Sequence, residues 1–308
     1  MFPTAPAHPN YSHGGNSEFI PELWSGKLLE KFYLATVFAA ISNTAYEGEI
    51  KNYGDNVTIR TTPDIAINDY VVGQNLVYQR PESISTELLI DKGKYFAFTC
   101  DDVIAKQSDL NLLDNWMGDA AEQMKIKIDA QLLQYCLTDI SAYNKGAAAG
   151  KITAAFNMGA SGAPVQLTKA NILDYIVDCG TLLDETNRPE SNRFMVIPAW
   201  AAGMLKKSDL KDATMMGDGT SVLRNGRLGG IDRFTLYTSN NLYAVADGGK
   251  TCFNAIFGHK SGISFAAQMT KTETLRAEST FGDLVRGLNI YGFKTLQPES
   301  VGILYCYK

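Results

Sequence analysis

Histidine, serine and carboxylate side chains carry most acid–base and nucleophilic chemistry, and this sequence offers few of them at a useful spacing. Its histidines are His8, His13 and His259. The first two lie in a tail rich in proline, glycine and serine, so neither a histidine-based triad nor a metal cluster is expected. The stretch GHKSG around His259 superficially resembles a serine-hydrolase turn, but its spacing differs from G-x-S-x-G.

Two further stretches could carry chemistry. Asp101 and Asp102 could act as paired carboxylates, but neighbouring helical residues point to different faces, which favours a helix cap. The stretch MMGDGTS could cradle a phosphate, but it lacks a lysine after its glycines and is more typical of a surface turn. The sequence therefore predicts no enzyme, no cofactor and no metal site.

Composition indicates a globular protein. The chain has 308 residues, of which 45% are hydrophobic and 20% charged, enough for a sizeable core in about two domains. The net charge of -5 argues against a basic nucleic-acid binder, and the lack of a long apolar run predicts no membrane span. The tail MFPTAPAHPNYSHGGNSEF is not expected to be a secretory signal. Buried reduced thiols are expected at the scattered cysteines, Cys100, Cys136, Cys179, Cys252 and Cys306.

A change of hydrophobic period predicts an extended hairpin. Val57 and Ile59 alternate with polar residues, Pro63 interrupts the strand, and a return strand follows at Ser85–Ile90. The connecting segment 64–81 is too long for an ordinary hairpin loop. Its tip is apolar and nearly uncharged, with Val71, Val72, Leu76, Val77, Tyr78 and Arg80 as the residues expected to make contacts.

An exposed apolar tip would promote aggregation, so it needs a partner surface. One interpretation is a local loop that packs on its own domain. The alternative is docking on an identical neighbour. Because donor and acceptor surfaces then differ, such a contact is head-to-tail and generates rings or closed shells.

The strongest helical signal runs from Asp101 to Tyr143 and predicts a rod of roughly 40 Å. One face of this helix is apolar, with Leu113, Trp116, Met117, Ala120, Ala121, Met124, Ile128, Leu132, Tyr135 and Cys136. The opposite, polar face is predicted to carry Glu122, Lys125, Lys127 and Asp129.

The remaining patterns predict an α/β layer followed by strands. A helix over Lys169–Thr186, a strand over Arg193–Pro198 and a helix over Ala199–Leu210 follow one another. An apolar-rich helical pattern also covers Phe19–Ile41 near the start of the chain. The last residues, from Arg286 to Lys308, predict two strands around a turn at Gln297, Pro298 and Glu299.

The order of these parts resembles the major capsid proteins of tailed bacteriophages, which have the Hong Kong 97 fold. The stretches that carry the resemblance are FIPELWSGKLLEKF, YEGEIKNYGDNVTIR, the long helix after DDVIAKQSDLN, RFMVIPAWAAGML, LRNGRLGGIDRFTLYTSNNL, AIFGHKSGISFAAQ and GDLVRGLNIYGFKTLQPES. The resemblance implies an α+β fold with an N-terminal arm, an extended β-hairpin loop, a peripheral domain with a spine helix, and an α/β axial domain. The implied boundaries are 1–45 for the arm, 46–98 for the loop, 99–160 with 270–308 for the peripheral domain, and 161–269 for the axial domain.

The resemblance also implies a function. Pentamers and hexamers of the chain would close into an icosahedral shell around double-stranded DNA, which the wall would contact only weakly. The implied partners are further copies of the chain, a scaffolding protein, a portal protein and a decoration protein. The location would be the virion, and the host cytoplasm during assembly. Contacts between subunits would include an axial loop with Arg224, Asn225, Arg227 and Arg233, and the N-terminal arm with Phe19, Leu23 and Trp24.

The type member of this fold links its subunits through a lysine–asparagine bond. The tip of the present hairpin has no lysine, and the nearest are Lys92 and Lys94, so no such cross-link is expected. Two other readings remain open at this point: an encapsulin-like compartment that encloses cargo enzymes, and an α/β enzyme with an unrecognised site.

Overall fold

The computed structural model describes residues 36–45, 56–60, 62–63, 65–82, 85–102, 112–208, 230–278 and 280–308. The helices in these residues are α1 (Phe38–Ile41), α2 (Leu112–Tyr135), α3 (Ile172–Glu185) and α4 (Ala199–Lys206). The strands are β1 (Asn56–Arg60), β2 (Ser85–Leu89), β3 (Lys92–Asp101), β4 (Val165–Gln166), β5 (Arg193–Ile197), β6 (Gly230–Ile231), β7 (Phe234–Thr238), β8 (Ala244–Asp247), β9 (Lys250–His259), β10 (Ile263–Arg276), β11 (Gly282–Thr295) and β12 (Val301–Tyr307).

A mixed sheet of seven strands, the large sheet, forms the centre of the molecule in the order β4-β12-β9-β5-β7-β6, with β8 on β9. Its central strands are covered on both faces, which explains why all residues of β5 are buried and why four apolar residues follow Arg193 in this strand. Successive residues of β5 alternate between two cores: Phe194 packs towards α1 and α2, whereas Met195 packs towards α3 and α4. Helices therefore cover both faces of the sheet.

A second sheet of three strands, the long sheet, has the order β10-β11-β3. Its inner face packs against α2, which at about 1.5 Å per residue is roughly 36 Å long. Near one end of α2 the rings of Phe98 and Trp116 meet edge to face with centroids 5.9 Å apart. Near the other end Tyr135 and Phe293 meet in the same way at 4.9 Å. An aromatic contact with the sheet therefore lies near each end of the helix.

The hairpin predicted from the sequence is present as an arm, formed by β1, β2 and the residues that connect them. The two strands are antiparallel, with Val57 opposite Leu88. Leu88 is fully buried at the base of the arm, in a small core with Ile90 and Ala266. Gly292 of β11 approaches the backbone there so closely that a Cβ atom would overlap the carbonyl oxygen of Leu89. The base of the arm is thus packed firmly on the long sheet.

Several sequence-based expectations are confirmed, including both strands of the hairpin, the long helix and the α3–β5–α4 succession. The five cysteines are unpaired and buried, as expected. The assignment of Asp129 to the polar face of the long helix is wrong, because its side chain is fully buried. The helix also ends at Tyr135 rather than at residue 143.

The last two strands lie in different sheets. β11 belongs to the long sheet and β12 to the large sheet, where it pairs with β9 and β4. The predicted boundaries grouped both strands in one domain. Ala149 and Met158, which the same boundaries placed with the long helix, are buried in the core beneath α3 and α4. The pattern of apolar residues predicts strands, but it does not say which neighbour a strand pairs with.

Candidate assembly surfaces

The tip of the arm, residues 65–82, contains no helix or strand and is exposed throughout. Val72 is 92% exposed and Tyr78 is 87% exposed, so almost the whole of each side chain is in contact with solvent. The other predicted contact residues, Val71, Leu76, Val77 and Arg80, are exposed as well. The sequence-based prediction missed three exposed apolar residues on the outgoing limb, Ile65, Ile67 and Tyr70. The alternation of Ile65 and Ile67 in the sequence could have indicated that this limb also presents apolar side chains.

A glutamine side chain and a backbone hydrogen bond shape the tip. The backbone N–H of Ala66 donates to Gln79 Oε1 across the two limbs at 2.9 Å. The turn itself is closed by the N–H of Gln74, which donates to the carbonyl of Val71 at 3.0 Å. Gly73 occupies this turn with a φ of 88°, where most residues with a side chain would be strained. Few polar contacts shape the tip, and its apolar side chains remain uncovered.

The outer face of the long sheet is a second exposed apolar surface. Leu288 lies opposite Tyr95, and Leu284 lies opposite Leu275, so all four side chains share one face. Tyr95 is 80% exposed and the three leucines are partly exposed. Together with neighbouring residues, Tyr95 and Leu288 line a shallow depression of about 520 Å³. This outer face is defined here by Tyr95, Leu275, Leu284 and Leu288.

A row of charges crosses the outer face between the apolar side chains. Arg286 Nε donates to Glu273 Oε2 at 2.9 Å, and Lys271 forms an ion pair with the same carboxylate. The hydrogen bonds from Lys271 and Arg286 lower the pKa of Glu273, so this carboxylate stays ionised at neutral pH. Because all three groups are solvated, they orient one another but contribute little to stability.

Arg233 is the one predicted axial contact within the described residues. Its guanidinium is engaged by its own chain, with ion pairs to Asp184 and Glu190 at 2.8 Å each. Arg224, Asn225 and Arg227 of the axial loop, and Phe19, Leu23 and Trp24 of the N-terminal arm, lie outside the described residues. Their role in contacts between subunits stays a prediction.

The histidine–serine pair noted in the sequence forms a local cap. His259 Nδ1 lies 2.7 Å from Ser261 Oγ and also accepts a hydrogen bond from the Ser261 backbone N–H. Burial and then the positive charge of Arg193 lower the pKa of this imidazole. In a catalytic triad a carboxylate orients the histidine. Here the charges near His259 are the guanidinium groups of Arg193 and Arg188, so the pair is not arranged for catalysis.

Comparison with known proteins identifies the class to which this architecture belongs. A family profile described as phage capsid protein matches residues 84–304, most of the chain. The chain therefore belongs to the phage capsid protein family. A search of curated proteins found no match.

Solved structures agree with the family. The chain is similar to a structure from Mycobacterium phage Che8, with 27% identity and a TM-score of 0.76 over 92% of this chain and 96% of that one. A capsid structure of cyanophage P-SCSP1u, 14% identical, has a TM-score of 0.73 over 100% of this chain and 99% of that one. A mature capsid subunit of bacteriophage PhiM1 is 15% identical, with a TM-score of 0.69 over 98% and 97% of the two chains.

The fold is thus the Hong Kong 97 type, as the sequence predicted. The chain is a major capsid protein that associates with further copies into an icosahedral shell, and its place is the virion capsid. The encapsulin reading is not favoured, and family and fold indicate a structural rather than an enzymatic role. Among the helices of the described residues, none is long and apolar enough to cross a membrane.

Proposed function

We propose that the shell is built from pentamers and hexamers that are joined by the arm, and that it encloses double-stranded DNA. The observation that supports this most directly is the uncovered arm tip, with Val72 and Tyr78 almost fully exposed. Nothing in the described part of the same chain covers these side chains, whereas a copy in an assembled ring would remove them from water. The apolar contact would then contribute through the hydrophobic effect.

The outer face of the long sheet is the proposed acceptor for the tip of a neighbouring copy. Tyr95 and Leu288 offer an aromatic and aliphatic centre, and Lys271, Glu273 and Arg286 form a polar strip beside it. A buried apolar centre with polar groups around it is the usual organisation of a protein interface. Because tip and outer face differ, the contact is heterologous and propagates around a ring.

The remaining proposed contacts and partners follow from the similarity to the major capsid proteins of tailed bacteriophages. Arg224, Asn225, Arg227 and Arg233 of the axial loop would face neighbours near the capsomer centre, and the N-terminal arm would contact a neighbour through Phe19, Leu23 and Trp24. A scaffolding protein in the host cytoplasm would guide assembly, a portal would occupy one vertex, and a decoration protein would bind the outside. The net charge of -5 suits a wall that holds DNA only by weak, nonspecific contacts, since a strongly basic lining would cling to phosphates.

The proposed domains follow the resemblance, with an N-terminal arm, the extended loop, a peripheral domain that contains α2, and an axial domain. Pairing of β12 within the large sheet favours moving residues 301–307 from the peripheral to the axial domain.

Electron microscopy of the expressed chain, with and without a scaffolding protein, tests the proposal. Closed shells or rings with five and six subunits are the expected result. A chain that remains monomeric under every condition would contradict the proposed function. A Tyr95→Asp variant tests the acceptor surface, because it should remain folded yet fail to form closed shells.

A further inference from the structure

A fully buried carboxylate lies in the C-terminal half of the long helix. The side chain of Asp129 is 0% exposed. Its Oδ1 accepts hydrogen bonds from the backbone N–H groups of Val37 and Phe38, at 2.9 and 2.8 Å. Its Oδ2 accepts a hydrogen bond from the side-chain amide of Asn241 at 2.7 Å. One side chain thus joins the N-terminal segment, α2 and the loop that follows β7.

Such a carboxylate is an unfavourable choice for packing alone. Burial raises the pKa of Asp129, and the hydrogen bonds from Asn241, Val37 and Phe38 act against this rise. Within the described residues these bonds come from neutral groups, so the buried charge is compensated by hydrogen bonds and not by an ion pair. An apolar side chain of similar size would avoid the desolvation altogether. Unlike apolar contacts, the hydrogen bonds to this carboxylate are directional, so they fix the position of the groups that donate them.

The segment held by Asp129 has little stability of its own. α1 contains only 4 residues, far fewer than an isolated helix needs. Val37 and Ile41 are buried in the core beneath α2, but apolar contacts are non-directional and permit sliding. Beyond α1, Asn43 pairs with β10: its N–H donates to Ile263 O at 2.8 Å, and its carbonyl accepts from Phe265 N–H. Residues 36–43 therefore form a clip between α2 and β10.

We propose that Asp129 is a positioning residue for shell assembly: it fixes on α2 the clip of residues 36–43, which follows the predicted N-terminal contact residues in the sequence. The carboxylate sets the register of the clip because it accepts two adjacent backbone N–H groups at once. Loss of this acceptor releases the clip while the large sheet stays folded. The inference rests on the proposed assembly function for its consequence, but the clip itself is a property of the single subunit.

Hydrogen exchange on the full-length unassembled chain tests the clip directly. In Asp129→Ala, the amides of residues 37–42 should exchange roughly 10²-fold faster, as expected for loss of two hydrogen bonds to a charged acceptor. Amides of β9 and β5 should exchange at the wild-type rate. Asp129→Asn keeps an oxygen for Val37 and Phe38 and should retain protection. Asn241→Ala removes the third hydrogen bond to Asp129 but keeps those of Val37 and Phe38, so it is the matched control, with residues 37–42 still protected.

Assembly of the same variants, followed by electron microscopy, tests the consequence. Asp129→Ala should give folded subunits that form few closed shells, whereas Asp129→Asn and Asn241→Ala should assemble. Unchanged exchange at residues 37–42 in Asp129→Ala, equal loss of protection in Asn241→Ala, or loss of protection throughout the large sheet would each overturn the inference. Normal shells from Asp129→Ala would overturn its role in assembly while leaving the proposed function intact. A wild-type chain that never assembles would instead contradict the proposed function, and the exchange comparison would still decide the clip.

Discussion

Replacing the two central apolar residues of the arm tip, Val72 and Leu76, by aspartate is the most direct perturbation of the proposed contact. Both side chains are exposed in the subunit, at 92% and 61%. Substitutions at such positions usually change the free energy of unfolding by less than about 0.5 kcal/mol. The double variant should therefore unfold at nearly the same denaturant concentration as the wild-type chain.

The same substitutions should strongly weaken the contact between copies, because the tip is buried there. Covering a valine or leucine side chain contributes about 1.5–3 kcal/mol, so the pair supplies about 3–6 kcal/mol to each contact between copies. Loss of this amount weakens one contact roughly 10²- to 10⁴-fold, and the desolvation of two carboxylates weakens it further. A closed shell repeats the contact at every subunit, so closure should fail altogether.

Sedimentation velocity and electron microscopy measure assembly, and chemical denaturation measures the stability of the subunit. Val72→Asp/Leu76→Asp should sediment as free subunits or small rings, and chemical denaturation should show an intact fold. Val72→Ile/Leu76→Met keeps the apolar surface and should assemble normally. Closed shells from the aspartate variant would refute the reasoning. Unfolding of its isolated subunit would show instead that the tip packs on its own chain.

Three further predictions concern the fold itself. Arg193→Met should destabilise the subunit by about 3 kcal/mol in a urea titration, because three backbone carbonyls lose the buried guanidinium at about 1 kcal/mol each, while Asp184 keeps its ion pair with Arg233; a change below about 1 kcal/mol would contradict the buried network. Burial and Arg193 lower the pKa of His259 below 6.5, so this neutral imidazole stabilises the fold above pH 6.5 and that stability is lost as the pH falls towards the folded-state pKa. Wild-type unfolding free energy should thus fall more between pH 7 and about pH 5 than that of His259→Asn, and parallel pH profiles would argue against it. Gly292→Ala should destabilise the arm base by about 1–3 kcal/mol, since its Cβ overlaps the carbonyl of Leu89; hydrogen exchange of β2 amides measures this, and wild-type protection would count against the close approach.

The arm was predictable because its signal is local. Alternation at Val57 and Ile59, an interrupting proline and a long connection with few charges suffice for a hairpin with an exposed tip. The long helix and the α3–β5–α4 unit were predictable for the same reason, since each carries its own period. The outer face of the long sheet was not predicted, because Tyr95 and Leu288 meet only through the register of β3 with β11.

By itself the sequence determined the elements, the exposed arm and the family resemblance, since these depend on residue order over short stretches. Only the tertiary structure shows that β12 lies in the large sheet, apart from β11, and that Asp129 is buried. A carboxylate on a helix is read as solvent-facing because desolvation of its charge is unfavourable. Hydrogen bonds from the backbone N–H groups of residues 37 and 38 and from the Asn241 amide offset that cost. These groups lie 92, 91 and 112 residues away in sequence. Contacts between segments so far apart leave no periodic signal in the chain.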